Sequence, residues 1–554
     1  MSATNDDRSP TKPIVANALR FLSAMPPSSK VADPRWWQGH SLSAIAAVVL
    51  IVLCSSAPFF VGYLVKPRGL QFTGALVYPS DIAQHEAWAS EMATHLTYQN
   101  LLTPEPTPRG FFLNPLDLGF GLIQRATGMP YMVLRTGLGV TCAPALAFAL
   151  MHLARRAGLC RPGVAAVIAL LAGSFAPLVD GAVKLGLIHK STGLVELIGG
   201  DATPTFIGPT TGAYIYLLVA ILVLVAIPRG DAEDPGRGFR LAGAALAIMA
   251  IVYPFFVPML WLTAILCALL WAKVWGWKSI LRGVGWLGIW SGPPIMYWAL
   301  LPYLDGEYAR FAAANRIHVF SIPVTFVSLG LGAGAIVGIP RLLRANAYQQ
   351  MLGCFSAAFV VALNVPAHPW RMHLFNLSPV LIIAALAAWW PMFLRLRRGP
   401  RWILIASLLA AATISVPYYN ALAFKELAHF APPVYLSTGD VAAIQWIADQ
   451  PGAEVVLARS DLSPFVVSRG HHRVVVGHWL WTHQYDRRRA EVEAVFEKGA
   501  DPRPLLKTEQ VAWLLIDGDR GVPAWAAGVK PVMRFDQTVV LRADRLLEHL
   551  AGAQ

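Results

Sequence analysis

The sequence predicts a polytopic α-helical membrane protein with a C-terminal α/β domain on the outer side of the bilayer, and three observations predict it. The 554 residues are 56% hydrophobic and only 14% charged, with a mean hydropathy of +0.51, too apolar for an ordinary soluble chain. Apolar runs of about 20 residues, the length that crosses a bilayer, recur between polar stretches. After Tyr418 the runs give way to short strand and helix patterns.

Residues 1–40 form a polar tail without the apolar region and small-residue cleavage site of a signal peptide, which predicts a cytoplasmic N-terminal tail. The predicted transmembrane domain covers residues 41–417, with about eleven crossings by the bilayer-length criterion. The first run is Ser41 to Val65; others include Tyr131 to Leu153, Val164 to Val179, Thr210 to Ile227, Ile322 to Ile339 and Phe375 to Phe393. The stretch Leu241 to Trp271 is too long for one crossing and contains "YPFFVP", which predicts two helices joined by a turn.

Charge bias sets the orientation, because short loops rich in Lys and Arg stay in the cytoplasm. The formal charge is +13, and five basic clusters carry much of it: Arg155 with Arg156 and Arg161; Arg229 with Arg237 and Arg240; Lys273 with Lys278 and Arg282; Arg341 with Arg344; and Arg395 with Arg397, Arg398 and Arg401. With Leu241 to Trp271 split, all five share the side of the N-terminal tail. The outer face then receives the first loop, 66–130, whose prolines, glycines and helical apolar spacing predict segments lying along the interface. It also receives "NVPAHPWRMH" and the predicted periplasmic domain, 418–554.

In that domain "DVAAIQWIADQ" reads as an amphipathic helix, "EVVLA", "RVVVG" and "VAWLLID" as strands, "YDRRRAEVEAVFEKGA" as a charged surface helix and "QTVVLR" as an edge strand. Alternating strands and helices predict a small α/β unit. The five cysteines lie in or beside apolar runs without metal-site spacing. The basic residues form no stripe with interleaved aromatics, which argues against nucleic acid as a partner. No P-loop, GxSxG, HExxH or CxxC motif is present, which argues against nucleotide-driven transport, serine hydrolysis, zinc proteolysis and thiol redox chemistry.

The sharpest candidate for chemistry is "SDIAQHEAW" in the first outer loop. On a helix starting near Ser80, Asp81 and His85 are four residues apart and share a face, Trp88 follows one turn on, and Glu86 lies on an adjacent face. A carboxylate at the membrane surface, oriented by a histidine, suits a general base acting on a hydroxyl from the aqueous side. The same residues also fit an ordinary interfacial helix with a wet polar face and Asp81 as its cap. In the outer domain "GHWLWTHQYD" gathers His478, Trp479, Trp481 and His483 after a strand, where aromatic rings could stack on sugar faces or form a core.

A cytoplasmic start, a long first outer loop with an early acidic residue, about eleven crossings and a C-terminal outer α/β domain resemble the GT-C superfamily, integral membrane glycosyltransferases that use polyprenyl-phosphate-linked sugars. The segments "WIADQPGAE" and "HHRVVVGHW" are similar to C-terminal domains of bacterial members. The resemblance implies a bacterial inner-membrane enzyme, a hexosyl- or pentosyltransferase, that moves a sugar from a polyprenyl-phosphate donor to a lipid or glycan acceptor with inversion. It implies Asp81 as the base, with Glu86 or His85 assisting and Trp88, His478 and Trp479 facing acceptor or sugar. Donor phosphate would be met by cations of the outer loops: Arg371, His373 and His368 in "HPWRMH", Arg316 and Lys190. The family's carboxylate is often paired, whereas Asp81 stands alone in "SDIA", and a lone carboxylate holds a divalent metal (Mg or Mn) poorly. Two other classes remain open in the sequence: a transporter or flippase of a lipid-linked glycan, and a noncatalytic envelope assembly protein.

Overall fold

The computed structural model describes residues 49, 53, 56–76, 79–173, 175–187, 213–230, 234, 236–314, 322–364, 377–517 and 521–552. The N-terminal tail and the predicted phosphate contacts Arg316, Lys190, His368, Arg371 and His373 lie outside the described residues. The loop 66–130 begins with strand β1 (Leu70–Phe72), then helices α1 (Pro79–His95) and α2 (Pro115–Thr127). The apolar helices follow: α3 (Tyr131–Arg156), α4 (Pro162–Leu171), α5 (Ala176–Lys184), α6 (Ala213–Ala226), α7 (Arg237–Val252), α8 (Val257–Trp275) and α9 (Trp277–Leu304). After the short α10 (Gly306–Ala314) come α11 (Ile322–Leu329), α12 (Ala333–Leu342), α13 (Ala347–Asn364), α14 (Ser378–Arg395), α15 (Arg398–Thr413) and α16 (Ser415–Ala428).

Among the described residues, five helical stretches are long and apolar enough to cross a membrane: Tyr131–Arg156, Pro254–Trp275, Thr325–Leu342, Ser378–Arg395 and Arg398–Ala428. Shorter apolar helices, Pro162–Leu171, Tyr214–Arg229 and Ala347–Leu363, pack among them. The predicted break in "YPFFVP" is present: α7 ends at Val252, Tyr253 is not helical, and a 3-10 turn over Pro254–Phe256 leads into α8. The run Val164 to Val179, read as one helix, is two, because Ala172 is extended and Pro177 opens the next helix, where its missing N–H costs nothing. The basic clusters fall at helix ends or in the turns between helices: Arg155 and Arg156 close α3, Lys273 sits in the last turn of α8 and Arg395 closes α14.

Beyond α16 the chain forms β2 (Tyr435–Ser437), α17 (Thr438–Ala448), β3 (Val455–Leu457), α18 (Ser463–Arg469), β4 (Arg473–Val474), α19 (Tyr485–Glu497), α20 (Arg503–Thr508), β5 (Val511–Ile516), β6 (Met533–Phe535), β7 (Thr538–Arg542) and α21 (Ala543–Gly552). Five strands make a mixed sheet in the order β4-β3-β5-β7-β6, with β4, β3 and β5 parallel and β7 antiparallel to both neighbours. The predicted edge strand "QTVVLR" is therefore interior. It is covered by β6, whose three residues are too few to carry an alternation in sequence.

The loop 66–130 is built into this α/β portion. Strand β1 pairs antiparallel with β2, Leu70 opposite Ser437 and Phe72 opposite Tyr435. Farther along, Val474 N–H donates to the Leu101 carbonyl at 3.1 Å and the Arg473 guanidinium donates to the Pro104 carbonyl. One buried cluster joins Ala83, Trp88 and Met92 of α1 with Phe311 of α10, Val466 of α18 and Trp481. Its burial fixes where α1 sits.

Candidate active site

Helix α1 starts at Pro79, a residue suited to the first helical position, and Asp81 in its first turn complements the positive end of the helix dipole. Alanines at 83, 87 and 89 keep that face flat and buried. At Gly121 an added Cβ would run into the Ala89 carbonyl, so α2 can rest directly on α1. The buried face holds the helix and leaves Asp81 on its rim, with a side chain 44% exposed.

Facing Asp81 is His478, 397 residues away in sequence: Nε2 lies 2.7 Å from Asp81 Oδ1. His478 is 1% exposed and is fixed by a tight turn. Gly477 and His478 N–H both donate to Thr482 Oγ1, which donates in turn to the Leu102 carbonyl at 2.6 Å. Leu480 N–H donates to His478 Nδ1 at 3.2 Å. With Nδ1 accepting, the ring carries its proton on Nε2 and donates it to Asp81 Oδ1. Gly477 is required by close approach: a Cβ there would sit 2.6 Å from Leu102 Cδ2 and 2.9 Å from Leu102 Cα.

The expected helper of Asp81 on its own helix is engaged elsewhere. His85 Nδ1 meets Asp117 Oδ2 at 2.8 Å, and Asp117 Oδ1 accepts from the Tyr131 hydroxyl at 2.8 Å, with Arg135 beyond. Burial pushes the His85 imidazole below its ordinary range, against the pull of Asp117. Burial alone would raise Asp117, but His85, Arg135 and the Tyr131 hydrogen bond hold it below the usual carboxylate range. Glu86 turns to α18: burial raises its carboxyl, opposed by Arg469 and a hydrogen bond from Ser468. Trp88 does not face solvent. It is 5% exposed, with ring centroids of Phe112 at 4.8 Å and Trp481 at 5.8 Å. Because its ring fills the seam between α1 and the α/β portion, Trp88 is a core residue here, and His478 is likewise too buried to stack on a sugar.

A second constellation lies beside the first. His483 Nε2 is 3.0 Å from Glu307 Oε2 and 2.6 Å from Arg310 Nη1, so it can donate to the carboxylate or accept from the guanidinium, one at a time. Glu307 also accepts from Asn100 Nδ2 at 2.8 Å. Glu105 is gripped by Arg488, whose other partner is Glu509. Glu105, Glu307, Arg310, His483 and Trp479 line a cavity of about 390 Å³ between α10, the loop 66–130 and the turn before α19.

No protein-family model matches the sequence, and no curated protein matches it either. Among solved structures the chain is similar to ArnT from Cupriavidus metallidurans bound to undecaprenyl phosphate, with a TM-score of 0.50 and 15% identity over 90% of this chain and 98% of that one. The apo state of the same protein matches with a TM-score of 0.48 at 15% identity over the same shares. The chain shares the fold of ArnT.

Among the described residues no group of three or more His, Cys, Asp or Glu side chains is arranged to hold a metal ion, and the inner oxygen of Asp81 already accepts from an N–H donor. Sequence reasoning passed over Asp117, Arg135, Glu105 and Arg488. A signal existed for one of them: Arg135 interrupts the apolar run "YMVLRTGLG", and a cation in such a run calls for a buried acid nearby.

Proposed function

We propose that the chain is a multi-pass membrane glycosyltransferase that moves a sugar from a polyprenyl-phosphate-linked donor to an acceptor hydroxyl at the outer face of the bacterial inner membrane. The observation that carries this reading is the half-exposed Asp81 carboxylate, held at 2.7 Å by a buried histidine, on the first outer helix of a GT-C fold. The undecaprenyl phosphate in the ArnT structure supports the donor class.

In this reading Asp81 Oδ2 takes the proton of the acceptor hydroxyl as its oxygen attacks the anomeric carbon of the donor. The bond from that carbon to the phosphate oxygen breaks with inversion, and polyprenyl phosphate leaves with the electron pair. His478 is a positioning residue: its Nε2–H fixes the carboxylate rotamer so that Oδ2 faces the acceptor. Neutralising the leaving phosphate falls to the cations predicted on the outer face, Arg371, His373, His368, Arg316 and Lys190. In the same reading the N-terminal tail is cytoplasmic and residues 418–554 are periplasmic.

The test is turnover of a labelled polyprenyl-phosphate sugar by purified protein in detergent with a membrane lipid and glycan extract as acceptor. Wild type releases polyprenyl phosphate and Asp81→Asn does not, while remaining folded, because the carboxylate is on the rim of α1. Full-rate transfer by Asp81→Asn refutes the base, and no consumption of any lipid-linked sugar by wild type favours the transport or assembly classes.

A further inference from the structure

We propose that the cavity lined by Trp479, Trp481, Glu105, Glu307, Arg310 and His483 is a subsite for a neutral saccharide ring of the acceptor, a reading that rests on the glycosyltransferase assignment. Its volume of about 390 Å³ is that of a small-molecule site, which typically spans roughly 300–1,000 Å³. Its walls have the chemistry of a sugar binder. Trp479 presents a ring 40% exposed, an apolar face on which the C–H face of a pyranose can rest.

Around that ring stand acceptors and donors in alternation. Glu105 and Glu307 are both held ionised: burial would raise each carboxyl, but hydrogen bonds from Arg488 and Thr103 bring Glu105 down to about 2, and those from His483 and Asn100 lower Glu307. Each carboxylate keeps lone pairs for sugar hydroxyls, while Arg310 supplies N–H donors from the exposed side. Glu307 and Glu105 are matched by Arg310 and Arg488, so the wall carries little net charge, which suits an uncharged ring. Trp481, 3% exposed, backs the cavity, with its ring stacked on Phe311 at 4.7 Å.

Position ties the cavity to the proposed chemistry. The Trp479 ring centroid is 6.0 Å from that of His478, whose Nε2 contacts Asp81. A saccharide on Trp479 would thus rest on the same turn that holds the histidine beside the base, so that another unit of the same glycan can offer its hydroxyl there.

The experiment is equilibrium binding to the full-length protein in detergent, using maltose, cellobiose and lactose as probes, with saturation-transfer NMR and tryptophan fluorescence as readouts. At least one disaccharide is expected to bind wild type and Asp81→Asn alike, and Trp479→Ala is expected to weaken it by about tenfold, the loss of one stacked ring. Trp479→Phe, which keeps an aromatic face, recovers most of the affinity. No saturation transfer from any of the three sugars, or unchanged binding in Trp479→Ala, overturns the subsite. Loss of polyprenyl-phosphate-sugar binding in Trp479→Ala also overturns it, by giving the cavity to the donor. Because binding is read in Asp81→Asn, failure here is distinct from failure of the base assignment.

Discussion

Replacing His478 by alanine isolates the contact that organises the site. The imidazole is 1% exposed and donates to Asp81 at 2.7 Å; a hydrogen bond to a charged group is worth roughly 1.5–3 kcal/mol. Asp81 is 44% exposed, so water replaces part of that bond, leaving about 1–2 kcal/mol. If the bond serves to hold the carboxylate for proton transfer, the loss is in the transition state and kcat falls about 5- to 30-fold. The donor KM stays unchanged, because Asp81 touches the acceptor hydroxyl and not the lipid. Steady-state release of polyprenyl phosphate from a labelled donor measures both constants, and a melting curve confirms folding. His478→Gln, whose side-chain amide can still donate to Asp81, regains most of the rate. A folded His478→Ala protein with wild-type kcat, or one whose whole defect is in donor KM, refutes the positioning role.

Two other outcomes test the frame around the site. Gly121→Ala drives a Cβ into the Ala89 carbonyl and to 3.0 Å from Ala93 Cβ, so α1 and α2 must separate; the expected cost is about 1–3 kcal/mol, read as a lower unfolding midpoint, and an unchanged midpoint would show that the helices do not meet there. For Glu105 the folded carboxyl, lowered from 4.5 to about 2, binds its proton less readily than the unfolded one. Its contribution is therefore complete above about 4.5 and disappears as pH falls from there towards 2, so thermal melts of Glu105→Gln should lose part of the pH slope that wild type shows in this window.

What was legible in the sequence was local. The helix that carries Asp81 followed from Ser80, Asp81 and the spacing of apolar residues, and the break at Tyr253 from two prolines within five residues. The strands "EVVLA" and "VAWLLID" were legible because each is a short apolar run bounded by turns. The partner of Asp81 was not. His85 shares its helix face, but Asp117 on α2 competes for the imidazole and wins, being buried where Asp81 is on the rim. His478 was noted for its aromatic surroundings, while its pairing with Asp81 depends on a tertiary contact that no periodicity encodes. Trp88 misled for a related reason: an aromatic one turn beyond an acid looks like a ligand platform, until α10 and the turn at Trp481 close over it.

The 397-residue separation of Asp81 from His478 also has a meaning in time. The acid leaves the ribosome first, and at roughly 5–20 residues per second its histidine follows about 20–80 s later. During that interval the loop 66–130 also waits for β2, the strand that its own β1 pairs with. A chain broken off between residues 81 and 478 would carry the proposed base without the group proposed to aim it. In the proposed reading, competence therefore waits until synthesis has passed residue 478 and the two ends of the site have met.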